Sequence, residues 1–191
     1  MLSRKALKEI QKARESTQYD FFIDETGKYV SDEPSNCYLR WTPNEGVYKG
    51  QTHILKIRFT WGSNEKKSYP RNPPNILFIT PIWHTNVGTK GSICLDILKE
   101  GSGPQSWSPM YGLEAIFNSI ELLMEEQNPN SPMNGTAGNM YRRCIATKDM
   151  TELIEHSNNY YYKTMESMTP NNYVVRLMNA SEFEKNTNEK S

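Results

Sequence analysis

His84-Thr85-Asn86-Val87-Gly88-Thr89-Lys90-Gly91-Ser92-Ile93-Cys94-Leu95-Asp96 is the stretch on which the reading of this chain turns. It places one thiol, Cys94, behind a glycine-bearing loop, with a His-x-Asn element beginning ten residues upstream. Thiol, imidazole and carboxamide are the ingredients of covalent acyl chemistry: a nucleophile, a proton handler or anchor, and a donor to an oxyanion. An isolated cysteine, however, is ordinarily a small buried hydrophobe. The flanking sequence has to decide between the two.

Upstream, Ser3 is placed to cap a helix whose apolar stripe is Ala6, Leu7, Ile10 and Ala13, with Lys5, Lys8, Glu9 and Lys12 on the other side. The period then changes. Tyr19 to Ile23 reads as a short aromatic strand, followed by a turn at Glu25-Thr26-Gly27-Lys28, and Cys37 to Trp41 as a second strand. In His53 to Trp61, Leu55, Ile57, Phe59 and Trp61 alternate with Lys56, Arg58 and Thr60, the two-residue period of a half-buried strand. Asn75 to Ile79 reads as a fourth, more buried strand. Strands joined by turn-rich links predict an antiparallel meander. From Thr80 to Met110 no period holds, and irregular stretches of that length are usually functional.

Downstream, Leu113, Ile116, Phe117, Ile120, Leu123 and Met124 recur at helical steps, between Pro109 and Asn128-Pro129. Asn128-Pro129-Asn130-Ser131-Pro132 reads as a rigid turn. Two more helices are expected, one lined by Ala137, Met140, Tyr141, Cys144 and Ile145, the other by Met150, Leu153, Ile154, Tyr161, Met165 and Met168, all taken as core. Tyr173, Val174, Leu177 and Met178 suggest a last turn of helix, and the polar end from Glu182 to Ser191 a disordered terminus.

Composition narrows the function. With 22 basic and 22 acidic residues the formal net charge is zero, which argues against general nucleic-acid binding. Three cysteines without metal-type spacing argue against a disulfide scaffold or a zinc site and for a reducing compartment, cytoplasm or nucleus. The opening Met1-Leu2-Ser3-Arg4-Lys5 continues into charged amphipathic sequence, so neither a signal peptide nor a membrane partner is expected.

Taken in order, Tyr69-Pro70-Arg71-Asn72-Pro73-Pro74, His84-Thr85-Asn86, Gly91-Ser92-Ile93-Cys94-Leu95-Asp96, Trp107-Ser108-Pro109 and Asn128-Pro129-Asn130-Ser131-Pro132 resemble the ubiquitin-conjugating enzymes. That family's core carries a Tyr-Pro-x-x-Pro-Pro loop, a His-Pro-Asn tripeptide, a Gly-x-Ile-Cys-Leu segment, a Trp-Ser-Pro loop and an Asn-Pro turn. Leu7 to Lys12 is similar to its first helix and Tyr48-Lys49-Gly50 to its second hairpin, so the resemblance spans roughly residues 4 to 168. It implies an α+β, UBC-like fold: N-terminal helix, four-stranded antiparallel meander sheet, active-site loop, crossover helix and C-terminal helices. Residues 1–168 would form the catalytic core domain and 169–191 a C-terminal extension, partly disordered.

By the same resemblance Cys94 would take ubiquitin from an activating enzyme as a thioester and pass it to a lysine of a substrate protein, usually with a RING-type ligase. Asn86 would donate to the oxyanion, Ser131 would gate the incoming amine, and Asp96 would lie in the catalytic set. His84 and Trp83 would be structural there. Lys8 and Lys12 would face the activating enzyme, and Arg71, Ser108 and Pro109 the ligase. No cofactor or metal is implied, since ATP is used by the activating enzyme, and the chain would act as a monomer. Two other readings stay open: a hydrolase with a Cys94–His84 dyad oriented by Asn86, and a ubiquitin-binding variant without catalysis.

The sequence also departs from the family's pattern. Thr85 replaces the tripeptide's proline, losing a fixed φ and gaining an N–H. Lys99 to Gln105 makes the loop after Cys94 longer than in compact members, Arg71 stands where a bulky apolar residue is common, and Glu9 where a related pattern has arginine. Gly62 to Ser68 reads as a surface insertion.

Overall fold

The structure, a computed structural model, describes residues 3–16, 20–23, 36–59, 68–101, 103–169, 172, 174–175 and 178. Helix α1 (Arg4–Glu15) begins where Ser3 Oγ accepts from Ala6 N at 3.1 Å. Ala6, Ile10 and Ala13 are buried, but Leu7 is 53% exposed, so the buried stripe is narrower than the sequence suggested.

Strands β1 (Asp20–Ile23), β2 (Asn36–Trp41), β3 (His53–Arg58) and β4 (Asn75–Phe78) form one antiparallel sheet in chain order, the expected meander. Its register sets Phe21 against Leu39, Leu39 against Leu55 and Leu55 against Phe78. These side chains share a face, because opposed residues in a ladder point the same way. Strands β3 and β4 are shorter than predicted: Phe59 is buried but past the strand, and Ile79 lies past β4, its N–H going back to Ile54 O at 2.9 Å. Tyr19, the turn at 25–28, Thr60, Trp61 and residues 62–67 of the expected insertion lie outside the described residues.

Helix α2 (Leu113–Glu125) buries all six of its periodic apolar residues against that face, and α1 completes the core. The opposite face is also covered. Tyr38 and Ile54 are fully buried, and Arg40, paired with Ile54 across the ladder, donates through Nη2 to Met178 O at 2.8 Å. Val174, in a helical turn, is buried as well. Part of the expected C-terminal extension is therefore anchored on the sheet. Residues 173, 177 and 179–191 lie outside the described set.

Helices α3 (Gly135–Thr147) and α4 (Thr151–Glu166) follow. Here the sequence reading needs correction. Ile145 is 46% exposed, and Met150, Met165 and Met168 are only partly buried, whereas the buried face of α4 is Leu153, Ser157 and Tyr161. The buried serine has a partner: Gln51 Nε2 donates to Ser157 Oγ and to Asn158 Oδ1, each at 3.0 Å. Gln51 Oε1 accepts from His53 Nε2 (3.1 Å), and His53 Nδ1 accepts from the Thr80 hydroxyl (3.2 Å). Thr80 Oγ1 in turn takes Ile54 N at 3.1 Å. Both His53 nitrogens are engaged, and burial followed by the nearness of His84 pushes His53 down to about 3, so it is neutral. Among the described residues no helix is long and apolar enough to cross a membrane.

Candidate active site

The irregular stretch contains a miniature hairpin hung on β4. Cys94 N donates to Asn86 O (2.8 Å) and Gly88 N to Ser92 O (2.9 Å), Val87 and Ile93 form an antiparallel bridge between them, and Gly91 N closes the turn on Gly88 O (2.8 Å). Gly91 is required: its φ is +80° and a Cβ there would meet Phe78 O at 1.8 Å. That close approach lets Phe78 N donate to Gly91 O at 2.9 Å. The consequence for the site is simple. Asn86 and Cys94 are directly opposed, so their side chains share a face of the hairpin.

His84 is not Cys94's base. It is fully buried, its Nδ1 accepts from Asn86 N (2.9 Å) and its Nε2 donates to Leu123 O (3.0 Å). Burial pushes it down to about 4, only partly opposed by the Leu123 carbonyl, so it is a neutral peg between the hairpin and α2. The donor gained at Thr85 is satisfied too: its N–H goes to Gln127 Oε1 at 2.9 Å, and its hydroxyl donates to the same oxygen. Thr85 O accepts from Met133 N (2.8 Å) and Asn134 N (2.9 Å), tying the hairpin to the entry of α3.

The Asn86 carboxamide is 99% buried and engaged on both atoms. Oδ1 accepts from Asn128 N (2.8 Å), while Nδ2 donates to Asn128 O (2.8 Å) and Ser131 O (3.1 Å). To serve an oxyanion it must redirect one amide proton, and the longer bond to Ser131 is the one a competing acceptor takes most easily. Ser131 itself is exposed, and its hydroxyl has no partner among the described residues.

Cys94 is partly exposed, while Cys37 and Cys144 are buried. Desolvation pushes the Cys37 thiol up to about 12, which makes it inert. After Cys94 the chain makes a single 3₁₀ turn, Asp96–Leu98, that brings Lys99 back to Asp96 at 2.6 Å. The bond to Asp96 holds the Lys99 ammonium above the usual lysine range, and the nearby Cys94 raises it further as a smaller contribution. Asp96 thus reaches the thiol's surroundings through a lysine that the sequence reading did not single out. The three-residue step from Asp96 to Lys99 was the available signal.

The remaining predicted residues lie elsewhere. The Trp83 ring packs on His156 and Tyr160 of α4, with centroids 4.3 and 5.5 Å away, and its carbonyl takes the Tyr48 hydroxyl at 3.0 Å. Lys8 is exposed and unpaired among the described residues, whereas Lys12 pairs with Glu114. Glu9 explains its own departure from the related pattern: its Oε2 accepts from Leu113 N at 3.0 Å, capping α2, whose own cap residue Gly112 offers no side chain. Lys5 Nζ donates to Pro109 O and, at 2.8 Å, to Tyr111 O, so α1 fixes the Ser108–Pro109 loop. Arg71 is exposed with a free guanidinium among the described residues, and Met110 beside that loop is 90% exposed.

Comparison with known proteins places the chain among related sequences. The family model described as ubiquitin-conjugating enzyme matches residues 5–166. "Ubiquitin-conjugating enzyme E2 1" of Caenorhabditis elegans is 38% identical over 117 residues, 60% of this chain and 55% of that protein. "Ubiquitin-conjugating enzyme E2-20 kDa" of Schizosaccharomyces pombe is 36% identical over 117 residues, 59% of this chain and 60% of that protein. The matched region is therefore little more than half of either relative. With a family model matching residues 5–166, most of its length, the chain belongs to the ubiquitin-conjugating enzyme family.

Proposed function

We propose that this chain carries ubiquitin as a thioester on Cys94 and transfers it to a lysine of a substrate protein. The observation that carries the reading is the pairing of the one partly exposed thiol with a buried, anchored carboxamide directly across the hairpin. In loading, the Cys94 thiolate attacks the thioester held by the activating enzyme, forming the new S–C bond as the donor thiol leaves. ATP is consumed by that enzyme and not by this chain. In discharge, a lysine amine attacks the same carbonyl, the tetrahedral oxyanion draws an amide proton of Asn86, and the thiolate leaves as the amine's proton passes to solvent or a nearby base. Ser131, with its free hydroxyl, stands at the amine's entry.

The buried, doubly engaged His84 argues against a Cys–His hydrolase, and the accessible Cys94 against a binding module without catalysis. Lys8 supports a basic contact with the activating enzyme. Arg71, Ser108, Pro109 and Met110 form the face offered to a RING-type ligase. The protein is proposed to act as a monomer in cytoplasm or nucleus, without nucleic-acid, membrane or cofactor requirement.

Incubation with activating enzyme, ATP and ubiquitin is expected to give a reductant-sensitive adduct, absent in Cys94→Ala and present in Cys37→Ala and Cys144→Ala. An adduct that survives in Cys94→Ala overturns the assignment.

A further inference from the structure

We infer that Gln127 is a positioning residue for ubiquitin discharge, acting through Asn86. Among the described residues its side chain bonds to neither Cys94 nor the Asn86 carboxamide. Its side chain is 95% buried at the exit of α2, where Oε1 accepts both donors of Thr85 and Nε2 donates to the Tyr48 hydroxyl at 3.1 Å. Tyr48 donates onward to Trp83 O. This chain of bonds therefore grips the hairpin's entry at two points, the Trp83 carbonyl and the Thr85 N–H. The next residue, Asn128, uses its backbone N–H and carbonyl to hold both atoms of the Asn86 carboxamide.

Residues 127 and 128 thus form one clamp, a side chain on Thr85 and a peptide on Asn86, and neither half can shift without the other. Packing leaves no slack: a Cβ added at Gly138 of α3 would meet Thr85 Cγ2 at 3.2 Å and Pro132 Cβ at 3.1 Å. Without Gln127, the Thr85 N–H and hydroxyl are stranded in a site with no exposure to water, which is costly. The 84–86 backbone then relaxes toward other acceptors and carries Asn86 out of register with Cys94. Misplacement on the scale of an ångström is enough to slow a reaction substantially. This inference rests on the reading of Asn86 as the discharge donor.

The experiment is a double-mutant cycle read by single-turnover discharge of purified Cys94–ubiquitin thioester to free lysine. Gln127→Leu is expected to load within roughly twofold of wild type and to discharge roughly 10- to 100-fold more slowly, less than or equal to the loss of an oxyanion donor. In the Asn86→Ala background, Gln127→Leu is expected to add nothing, because its only route to the chemistry is gone. Thr85→Ser, which keeps both donors, is expected to match wild type. Thr85→Val, which loses only the hydroxyl, is expected to give a milder slowing and serves if Gln127→Leu does not fold. An undiminished discharge rate in Gln127→Leu, or an equal further slowing on top of Asn86→Ala, overturns the inference. A second arm needs no enzyme activity: the Asn86 side-chain amide resonances of the uncharged protein should shift and exchange faster with water in Gln127→Leu. Unchanged resonances overturn the inference by themselves. If wild type takes no thioester, the function reading fails, and this arm still decides the placement.

Discussion

Two buried histidines of this molecule pack on Tyr48, one edge-on and one stacked, each with ring centroid 6.0 Å from it, and they do different work. Both are fully buried and neutral, and both have each nitrogen engaged. The His53 network ends on Ser157 and Asn158 and fastens α4 to the sheet. The network around His84 runs outward instead, through Asn86 to the carbonyl of Ser131, an exposed residue. Closed networks hold a fold together. A network with one exchangeable bond at the surface beside a thiol can also answer a developing charge.

The contrast breaks most visibly at the carboxamides. Asn86→Ala is expected to accept ubiquitin but discharge it roughly 100- to 1,000-fold more slowly. Gln51→Leu, the matching lesion in the closed network, is expected to lower stability by about 1–3 kcal/mol for the groups it strands, with discharge unchanged wherever the protein remains folded. Discharge that slows in Gln51→Leu to the extent seen in Asn86→Ala would erase the distinction.

Acidification sharpens it. The unfolded chain protonates these histidines near 6.5, while the folded chain resists until about 4 at His84 and about 3 at His53. Their contribution to stability is complete above about pH 6.5 and declines as pH falls, by about 1.4 kcal/mol per pH unit for each histidine while the unfolded state alone binds the proton. Denaturant titrations between pH 6.5 and 4 should show His53→Gln and His84→Gln each removing about half of this histidine-dependent slope. Only His84→Gln should also slow discharge, since Asn86 N loses its acceptor.

The smallest effects belong to α1. Glu9→Ala removes the cap of α2 and is expected to cost about 1 kcal/mol. Lys12→Ala breaks only an exposed, solvent-screened pair with Glu114 and is expected to leave the melting temperature essentially unchanged. Equal melting temperatures for the two variants would deny Glu9 its capping role.

Much of this was legible in the sequence. Alternation over Leu55 to Phe59 and the helical steps from Leu113 to Met124 announced the sheet and the helix beneath it, because one-sided burial imposes those periods. Cys94 and Asn86 were legible through motifs. What the motif spacing obscured was that Asn86, not His84, faces Cys94, since hairpin register appears only once Gly91 is seated against Phe78. Gln127 was silent for another reason. A glutamine after a helix carries no local signal, and its role exists only because Thr85, 42 residues earlier, brings two donors to it. Ser157, the cap supplied by Glu9 and the core methionines that proved peripheral likewise depend on partners distant in sequence.

Val174 and Met178 lie beyond the stretch, 5–166, by which the family is recognised, yet the Met178 carbonyl reaches Arg40 on the face of the sheet that also holds Tyr38 and Ile54. Part of what covers that face is therefore written in residues that take no part in its family signature. Two proteins could share this catalyst side chain for side chain and still turn different surfaces to the world, according to what their tails lay over the sheet. Such a tail is a place where evolution can change an enzyme's company without touching its chemistry.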